Sequence, residues 1–376
     1  MDLRKTQSDV TIVGAGPAGL ACAIASARQG LRVDLIDAVE PPIDKACGEG
    51  LMPDSLQALT AIGVDFEKDL SRFETHCIHG IRFLAEHATS EATFPHGVGR
   101  GIRRTILHQI LLERAASLGV RFHWKNSVQG ITPITEGAFI HTNWQTFLTR
   151  FVVGADGPQS RVAVWAGLTQ DNLRSRRIGL RQHYQIAPWS SFIEVYWGKH
   201  GQAYVTPISA EQICVAFLAD QKIPSMQNAL HHFPMLHRRL TDQPATAPRG
   251  AITLGRTRHR VISGNIALIG DASGSVDAIT GEGIALGFRQ AAALATALRT
   301  NDLASYQRAH RSIMRLPTIM STSLLLMDRS PLLRNHALSF FQRKPWFFER
   351  LLGIHIGLAP SRIFESGGTL KPDYTC

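Results

Sequence analysis

The stretch Asp9-Val10-Thr11-Ile12-Val13-Gly14-Ala15-Gly16-Pro17-Ala18-Gly19-Leu20 decides how this chain folds. Its first five residues cluster β-branched side chains as a buried strand does. Its glycines then follow the pattern Gly14-x-Gly16-x-x-Gly19 ahead of an alanine-rich helix, Leu20 to Arg28. Gly14 allows a tight turn, Gly16 lets a pyrophosphate approach the backbone, and Gly19, beside Ala18, lets helix pack on strand. The helix N-terminus then offers free N–H groups and the positive end of its dipole to phosphate. Leu31 to Ile36 supplies a second strand, and Asp37 follows it, 18 residues beyond Gly19, where a carboxylate can accept both hydrogen bonds of an adenosine ribose. This β-turn-α-β unit predicts a dinucleotide site in an α/β fold.

The chain's 376 residues exceed what one compact domain usually needs, so two domains are expected. Hydrophobic residues make up 44% and charged residues 19% of the chain, enough apolar material to exclude wholesale disorder. The formal net charge of +10 suits an anionic membrane surface, phosphate-bearing cofactors or nucleic acid, and its sign alone does not choose. Cys22, Cys47, Cys77, Cys214 and Cys376 are scattered with no C-x-x-C pair. Such spacing argues against a disulfide framework, a zinc knuckle or an iron–sulfur cluster, and for a reducing cytoplasm. The polar leader Met1 to Ser8 runs into the first strand without a signal-peptide core. The most apolar run near the C-terminus, Ser323 to Met327, falls far short of the about 20 residues that cross a bilayer. A cytoplasmic protein is expected, its membrane contact limited to the inner face.

Helices are predicted over Pro53 to Ile62 and Thr105 to Leu118, the second stopped by Gly119. Val120 to Trp124, Gly137 to Thr142 and Arg150 to Val153 read as strands. Between Arg177 and Asp220, longer strands rich in Tyr, Val, Ile and Phe predict a separate antiparallel lobe. The first fold resumes with a strand over Gly264 to Ile269 and a helix from near Gly281 to about Leu298. From Leu303 the chain is helical, with breaks expected at Pro317, Pro331 and Pro345. The predicted organisation is a discontinuous Rossmann-like domain with a parallel sheet (residues 1–75, 96–170 and 255–300), an antiparallel β-sheet substrate lobe (76–95 and 171–254) and a C-terminal helical segment (301–376).

Two more turns specify the dinucleotide. Gly270-Asp271 ends a buried strand, and Gly281-Glu282-Gly283 follows a ten-residue loop and opens a long helix. Asp271 can bond a ribityl hydroxyl, while the N–H groups at Glu282 and Gly283 and the helix dipole stabilise negative charge on a reduced isoalloxazine ring. Gly154-Ala155-Asp156-Gly157 makes a third tight turn, with Arg161 close enough to reach phosphate or brace the loop. The pattern suits a flavin.

In order and spacing, the first glycine motif, Arg104 ahead of Leu107, the Asp156 turn and the segment from Asp271 to Gly283 resemble the FAD-dependent group A monooxygenases of the p-hydroxybenzoate hydroxylase type. The likeness spans about residues 9–300. Lys45-Ala46-Cys47-Gly48-Glu49-Gly50-Leu51 and the segment from Gly270 to Gly283 look most like the geranylgeranyl reductase branch, with Ala278 where that branch has proline. The resemblance implies that Gly14, Gly16, Ala18, Gly19, Asp37, Arg104, Val128, Gly157, Gly270, Asp271, Gly281, Glu282, Gly283 and Ile284 bind FAD, and that Asp156 serves both FAD and NAD(P)H. The reductase branch usually carries an aromatic-x-Trp-x-Phe-Pro motif in the second lobe; here Tyr204-Val205-Thr206-Pro207 stands instead. The halogenase tryptophan signature is absent, since Trp189 and Trp197 lie eight residues apart.

Cys47 is expected near the flavin ring, where a thiol can contact substrate or deliver a proton; packing as a small hydrophobe is the alternative. His183 and Tyr204, in the lobe, are candidates to orient or deprotonate a phenolic substrate. No metal site is expected, because the histidines form no ligand-like cluster. Between Arg299 and Arg350, nine Lys/Arg stand against three acidic residues among many Leu, Phe and Trp, the mixture of helices lying on an anionic membrane or capping the core with a wet basic face. No nucleic-acid module accompanies that charge. The expected activity is NAD(P)H-dependent hydroxylation, with O₂, of a lipophilic aromatic small molecule. The rivals are reduction of isoprenoid double bonds and a flavin-free prenyl-lipid carrier.

Overall fold

The computed structural model describes residues 8–86, 88–220, 225–240 and 244–357. The chain runs through β1 (Ser8–Val13), α1 (Pro17–Arg28), β2 (Val33–Ile36), β3 (Gly50–Leu51), α2 (Pro53–Ile62), α3 (Phe66–Leu70), β4 (His76–Ile78), β5 (Gly80–Ala85), β6 (Ala88–Thr93) and β7 (Gly99–Gly101). It continues with α4 (Arg104–Ser117), β8 (Arg121–His123), β9 (Val128–Ile134), β10 (Gly137–Thr142), β11 (Thr146–Gly154), α5 (Arg161–Trp165), β12 (Asp171–Tyr184), β13 (Phe192–Gly198), β14 (Gly201–Pro207) and β15 (Ile213–Ala219). After α6 (Met226–His231) and α7 (Pro234–His237) come β16 (Arg249–Arg258), β17 (Ile262–Ser263), β18 (Ile266–Leu268) and β19 (Gly274–Ser275). Four helices close the described chain: α8 (Gly283–Thr300), α9 (Leu303–Arg329), α10 (Pro331–Arg343) and α11 (Pro345–His355).

The first sheet has the order β17-β18-β11-β1-β2-β8, with β10 and β9 added antiparallel beside β11. Its central pairs are parallel, and the register sets Val13 opposite both Gly154 and Ile36, and Gly154 opposite Leu268. The carboxyl ends of four strands therefore lie side by side, where ligands of open α/β sheets bind. Helix α1 packs between this sheet and α8. Gly14, at φ +107°, allows the turn, and its hydrogen faces the Ala155 carbonyl oxygen, which a Cβ would approach to 2.4 Å.

The second sheet has the order β19-β16-β12-β15-β14-β13-β5-β6 and is antiparallel except where β5 joins β13 in parallel. Helices α10 and α11 cover its β6 edge, where Phe83 packs edge-on against Trp197 at 5.6 Å and beside Phe348 at 4.9 Å. A third, small sheet pairs β3 and β4 with β7. The buried Arg177 of β12 ties the layers together, reaching Asp328 of α9 and Asp220 at 3.0 Å and Asp277 at 3.6 Å.

Two expectations are corrected. Helix α9 passes through Pro317 without breaking: the lost backbone donor is tolerated where Pro317 is buried, and the Thr318 hydroxyl donates to the Met314 carbonyl at 2.7 Å. The long helix starts at Gly283, because Ala278 to Thr280 form a 3₁₀ turn that Gly281 ends at φ +70°. Among the described residues Cys22, Cys47 and Cys214 are free thiols, and Cys376 lies outside the described residues.

A Cβ on Gly19 would fall 1.9 Å from the Gly14 carbonyl oxygen, so α1 would have to shift off the turn. Gly19→Ala should therefore lower stability by about 1–3 kcal/mol, read as a drop in melting temperature.

Candidate active site

The turn after β1 and the head of α1 form one end of the site. No side chain caps α1, so its first-turn N–H groups stay available, and a Cβ built on Gly16 meets nothing within 4 Å. Asp37 braces this turn: Oδ2 accepts the Ala15 N–H at 2.7 Å and Oδ1 the Val39 N–H at 2.8 Å. Val128, the first residue of β9, lies close by, since the Asn126 N–H donates to the Asp37 carbonyl at 3.0 Å. His108 of α4 reaches the Ala15 carbonyl through Nε2 at 2.9 Å; burial first, and then Arg104, lower its pKa, so the neutral ring donates.

The Gly270-Asp271 segment joins the same turn. A Cβ on Gly270 would sit 2.8 Å from the Cβ of Ala18, and the Gly270 N–H donates to Gln290 of α8 at 2.7 Å. Asp271 is open to solvent yet surrounded by protein, as at the wall of a deep cleft. That enclosure raises its pKa, against the pull of Lys45 and Arg104. Lys45 also stands 3.7 Å from where a Gly157 Cβ would be. Asp156 spends its carboxylate on its own turn, accepting from Ser160 Oγ at 2.6 Å and from the N–H groups of Arg161 and Val162 at 2.8 and 3.1 Å. It shapes the Gly157 turn and the start of α5 at Arg161.

At the other end, Glu49 is the centre. It is buried, with backbone in the left-handed region at φ +59°, a strained state for a residue with a side chain. Its carboxylate ties its own loop to α4 and β12: Oε1 accepts the Arg104 N–H at 3.0 Å, Oε2 lies 2.7 Å from His183 Nε2, and Arg103 and Arg181 stand 4.0 Å away. Arg181 continues to Asp44 at 2.5 Å. The adjoining Cys47 is half-buried, its Sγ accepting the Glu49 N–H at 3.4 Å, and the Cys214 thiol donates to the Cys47 carbonyl at 3.6 Å. Glu49, His183 and Cys214 each bring a donor atom within 4.8 Å of the others, but the Glu49–His183 bond and two guanidiniums already satisfy the carboxylate and oppose a cation.

This arrangement corrects two expected roles. His183 is fully buried, with Nε2 at Glu49 and Nδ1 3.0 Å from Thr246 Oγ1, so neither ring nitrogen is left for a substrate. The Tyr204 hydroxyl donates to the Ile279 carbonyl at 3.2 Å, and burial pushes its pKa far up, so it holds the loop before Gly281 and stays protonated. Lys45, Arg103, His108 and Arg181 escaped sequence reasoning as site residues, because their partners are remote in the chain. Glu49 gave a signal, being the one side chain between two glycines in Gly48-Glu49-Gly50.

At the head of α8, Cβ atoms built on Gly281 and Gly283 meet nothing within 4 Å, as is true of Gly48, while Ile284 behind them packs against the core. Bare backbone thus faces open space at the N-terminus of α1 and at that of α8. Those features fit an extended, phosphate-bearing molecule with a flat ring, which FAD is.

Comparison with known proteins agrees. Residues 7–301 match the family model described as FAD binding domain. The chain is 27% identical to a menaquinone reductase of Mycolicibacterium smegmatis over 81% of its own length and 79% of that protein's. It is 26% identical to digeranylgeranylglycerophospholipid reductase 1 of Methanothermobacter thermautotrophicus over 77% of its length and 76% of the relative's. Among solved structures, a flavoprotein/dehydrogenase from Cytophaga hutchinsonii superposes with a TM-score of 0.81 at 18% identity, covering 93% of this chain and 92% of that one. For p-nitrophenol 4-monooxygenase from Pseudomonas putida the TM-score is 0.78 at 18% identity, with 90% and 94% covered. At such identities the superpositions establish the fold.

Asp37→Ala removes the acceptor of the Ala15 N–H as well as the carboxylate offered to a ribose. FAD affinity should fall about tenfold or more, measured by fluorescence titration.

Proposed function

This chain belongs to the FAD binding domain family, and from that premise we propose that it is an FAD-dependent reductase of carbon–carbon double bonds in a lipophilic, isoprenoid-bearing substrate. The observation that carries this reading is the division of labour among Cys47, His183 and Tyr204. Hydroxylating a phenol calls for a base that can take its proton. His183 has both nitrogens engaged and Tyr204 is held protonated, whereas the half-buried Cys47 thiol remains available as an acid. The relatives named menaquinone reductase and digeranylgeranylglycerophospholipid reductase support a prenyl-lipid substrate.

Bound FAD, reduced by NAD(P)H, supplies a hydride. The chain's task is to hold the double bond in a water-poor pocket and to protonate the carbon that does not receive the hydride. Cys47 serves this step: its S–H bond breaks as the new C–H bond forms, and the thiolate regains a proton from solvent. Hydride and proton together saturate one double bond per NAD(P)H oxidised. Glu49, clamped by His183 and the Arg104 N–H, keeps the Cys47 loop in register with the FAD-binding helix α4.

A second reading, O₂-dependent hydroxylation of an aromatic lipophilic substrate, draws on Tyr204-Val205-Thr206-Pro207 standing where the reductase branch carries its own motif. Both readings put the substrate in a lipid phase. No helix among the described residues is long and apolar enough to cross a membrane. Helices α9 to α11 nevertheless expose Leu326, Leu332, Leu333, Phe340 and Trp346, with Leu332 74% exposed, beside Arg329, Arg343 and Lys344. That composition suits peripheral attachment to an anionic surface at the inner face of the membrane.

Anaerobic incubation with NAD(P)H and menaquinone or a geranylgeranyl lipid should yield a product with one double bond saturated, detected by mass spectrometry. Cys47→Ala should keep its FAD yet turn over about 100-fold more slowly or worse. O₂ uptake matched by hydroxylated product would favour the second reading. Leu332→Asp combined with Trp346→Asp should weaken binding to anionic vesicles in a sedimentation assay, with FAD content unchanged.

A further inference from the structure

Three titratable side chains that this chemistry does not use meet behind the head of α8. Asp54 comes from the first turn of α2, Glu282 from the residue that precedes α8, and His355 from the last turn of α11; all three are buried. Arg289, about two turns further along α8, approaches Asp54 Oδ2 at 2.5 Å. The Thr280 carbonyl lies 3.1 Å from His355 Nε2. A carbonyl only accepts, so Nε2 carries a hydrogen, and in the neutral ring Nδ1 is an acceptor. That Nδ1 faces Glu282 Oε2 at 3.6 Å, and neither atom has a hydrogen-bond partner among the described residues.

Two buried acceptors facing one another leave a gap that a single proton fills, either as an O–H on Glu282 or as a second N–H on His355. Without it, the carboxylates of Asp54 and Glu282 face the one guanidinium of Arg289, and the cluster carries an uncompensated buried charge. With it, the cluster is neutral. Burial, reinforced by Asp54, pushes Glu282 up to about 8, and burial pulls His355 down, so the carboxyl holds the proton at neutral pH.

We propose that Glu282 and His355 share one proton directly behind the flavin-facing head of α8, and that reduction of the flavin tightens the protein's hold on it. The proposal rests on the reading above that the bound ring meets Gly281 to Gly283. The positive end of α8 favours negative charge on the reduced ring. An ionised Glu282, itself the N-cap of α8, would cancel that field, and a protonated Glu282 leaves it unopposed. By linkage, charge arriving on the ring raises the affinity of the pair for its proton. Below the pH at which Glu282 ionises, the pair is filled before and after reduction. Above it, the oxidised protein has lost the proton and reduction draws it back. Glu282 is met by Asp54 from α2, Arg289 from α8 and His355 from α11, and of these His355 is the positioning residue.

The test counts protons taken up when FAD-loaded protein is photoreduced anaerobically in weakly buffered solution with a pH-indicator dye. Wild type should take up about one more proton per flavin at about pH 9 than at about pH 7. Glu282→Gln, close in shape and unable to ionise, should show no such difference when uptake is counted per bound flavin. His355→Leu removes the acceptor and should move the onset to lower pH. Equal uptake by wild type at the two pH values, or a Glu282→Gln protein that keeps the wild-type difference, overturns the proposal and leaves the flavoprotein assignment intact. Failure of wild-type protein to take up FAD at all overturns both.

Discussion

Parallel pairing in register is the constraint on which the rest of this structure depends. With Val13 opposite Gly154 and Ile36, and Gly154 opposite Leu268, four strands end along one line. The backbone turns there and exposes the Gly14 turn, Asp37, the Asp156 turn and Gly270-Asp271 on a common rim. Side chains add specificity to a geometry that hydrogen-bonded ladders have already set. Close packing here depends on missing side chains: Gly270 and Gly287 lack the Cβ that would press on Ala18. Through those gaps α1, α8 and the Asp271 loop share one wall.

Joining this rim to the antiparallel lobe falls to buried charge. Arg177 gathers Asp220, Asp277 and Asp328, and Glu49 gathers His183, Arg103, Arg181 and the start of α4. Such clusters add little net stability, because desolvation offsets attraction, but they penalise every arrangement that leaves one member alone. They therefore hold the lobe at a defined position over the cleft, and the left-handed backbone of Glu49 is tolerated because its side chain is held from three directions.

The sequence exposed the flavin-binding half of the site because glycine spacing, β-branched runs and the carboxylate after β2 are local signals that agree. The antiparallel sheet was legible from the change to longer aromatic strands. What stayed hidden depends on contacts across great separations. Nothing near His183 in the chain reports that Glu49 lies against it, and nothing near Thr280 reports His355 of the last described helix. Proline at position 317 misled for the same reason, since local propensity forbids a helix that tertiary burial sustains.

The interleaving of the two domains also dictates an order of events at the ribosome. Strand β18 follows every strand of the antiparallel sheet except β19, and helix α8 follows all of them; together they complete the cofactor cleft. A nascent polypeptide that has already formed β1, α1 and β2 lacks Asp271 and the α8 terminus until about three quarters of the 376 residues have been made. Coenzyme capture is accordingly a late step of biogenesis, and a truncated translation product carries half a cleft with its apolar strands uncovered, a natural target for proteolytic clearance.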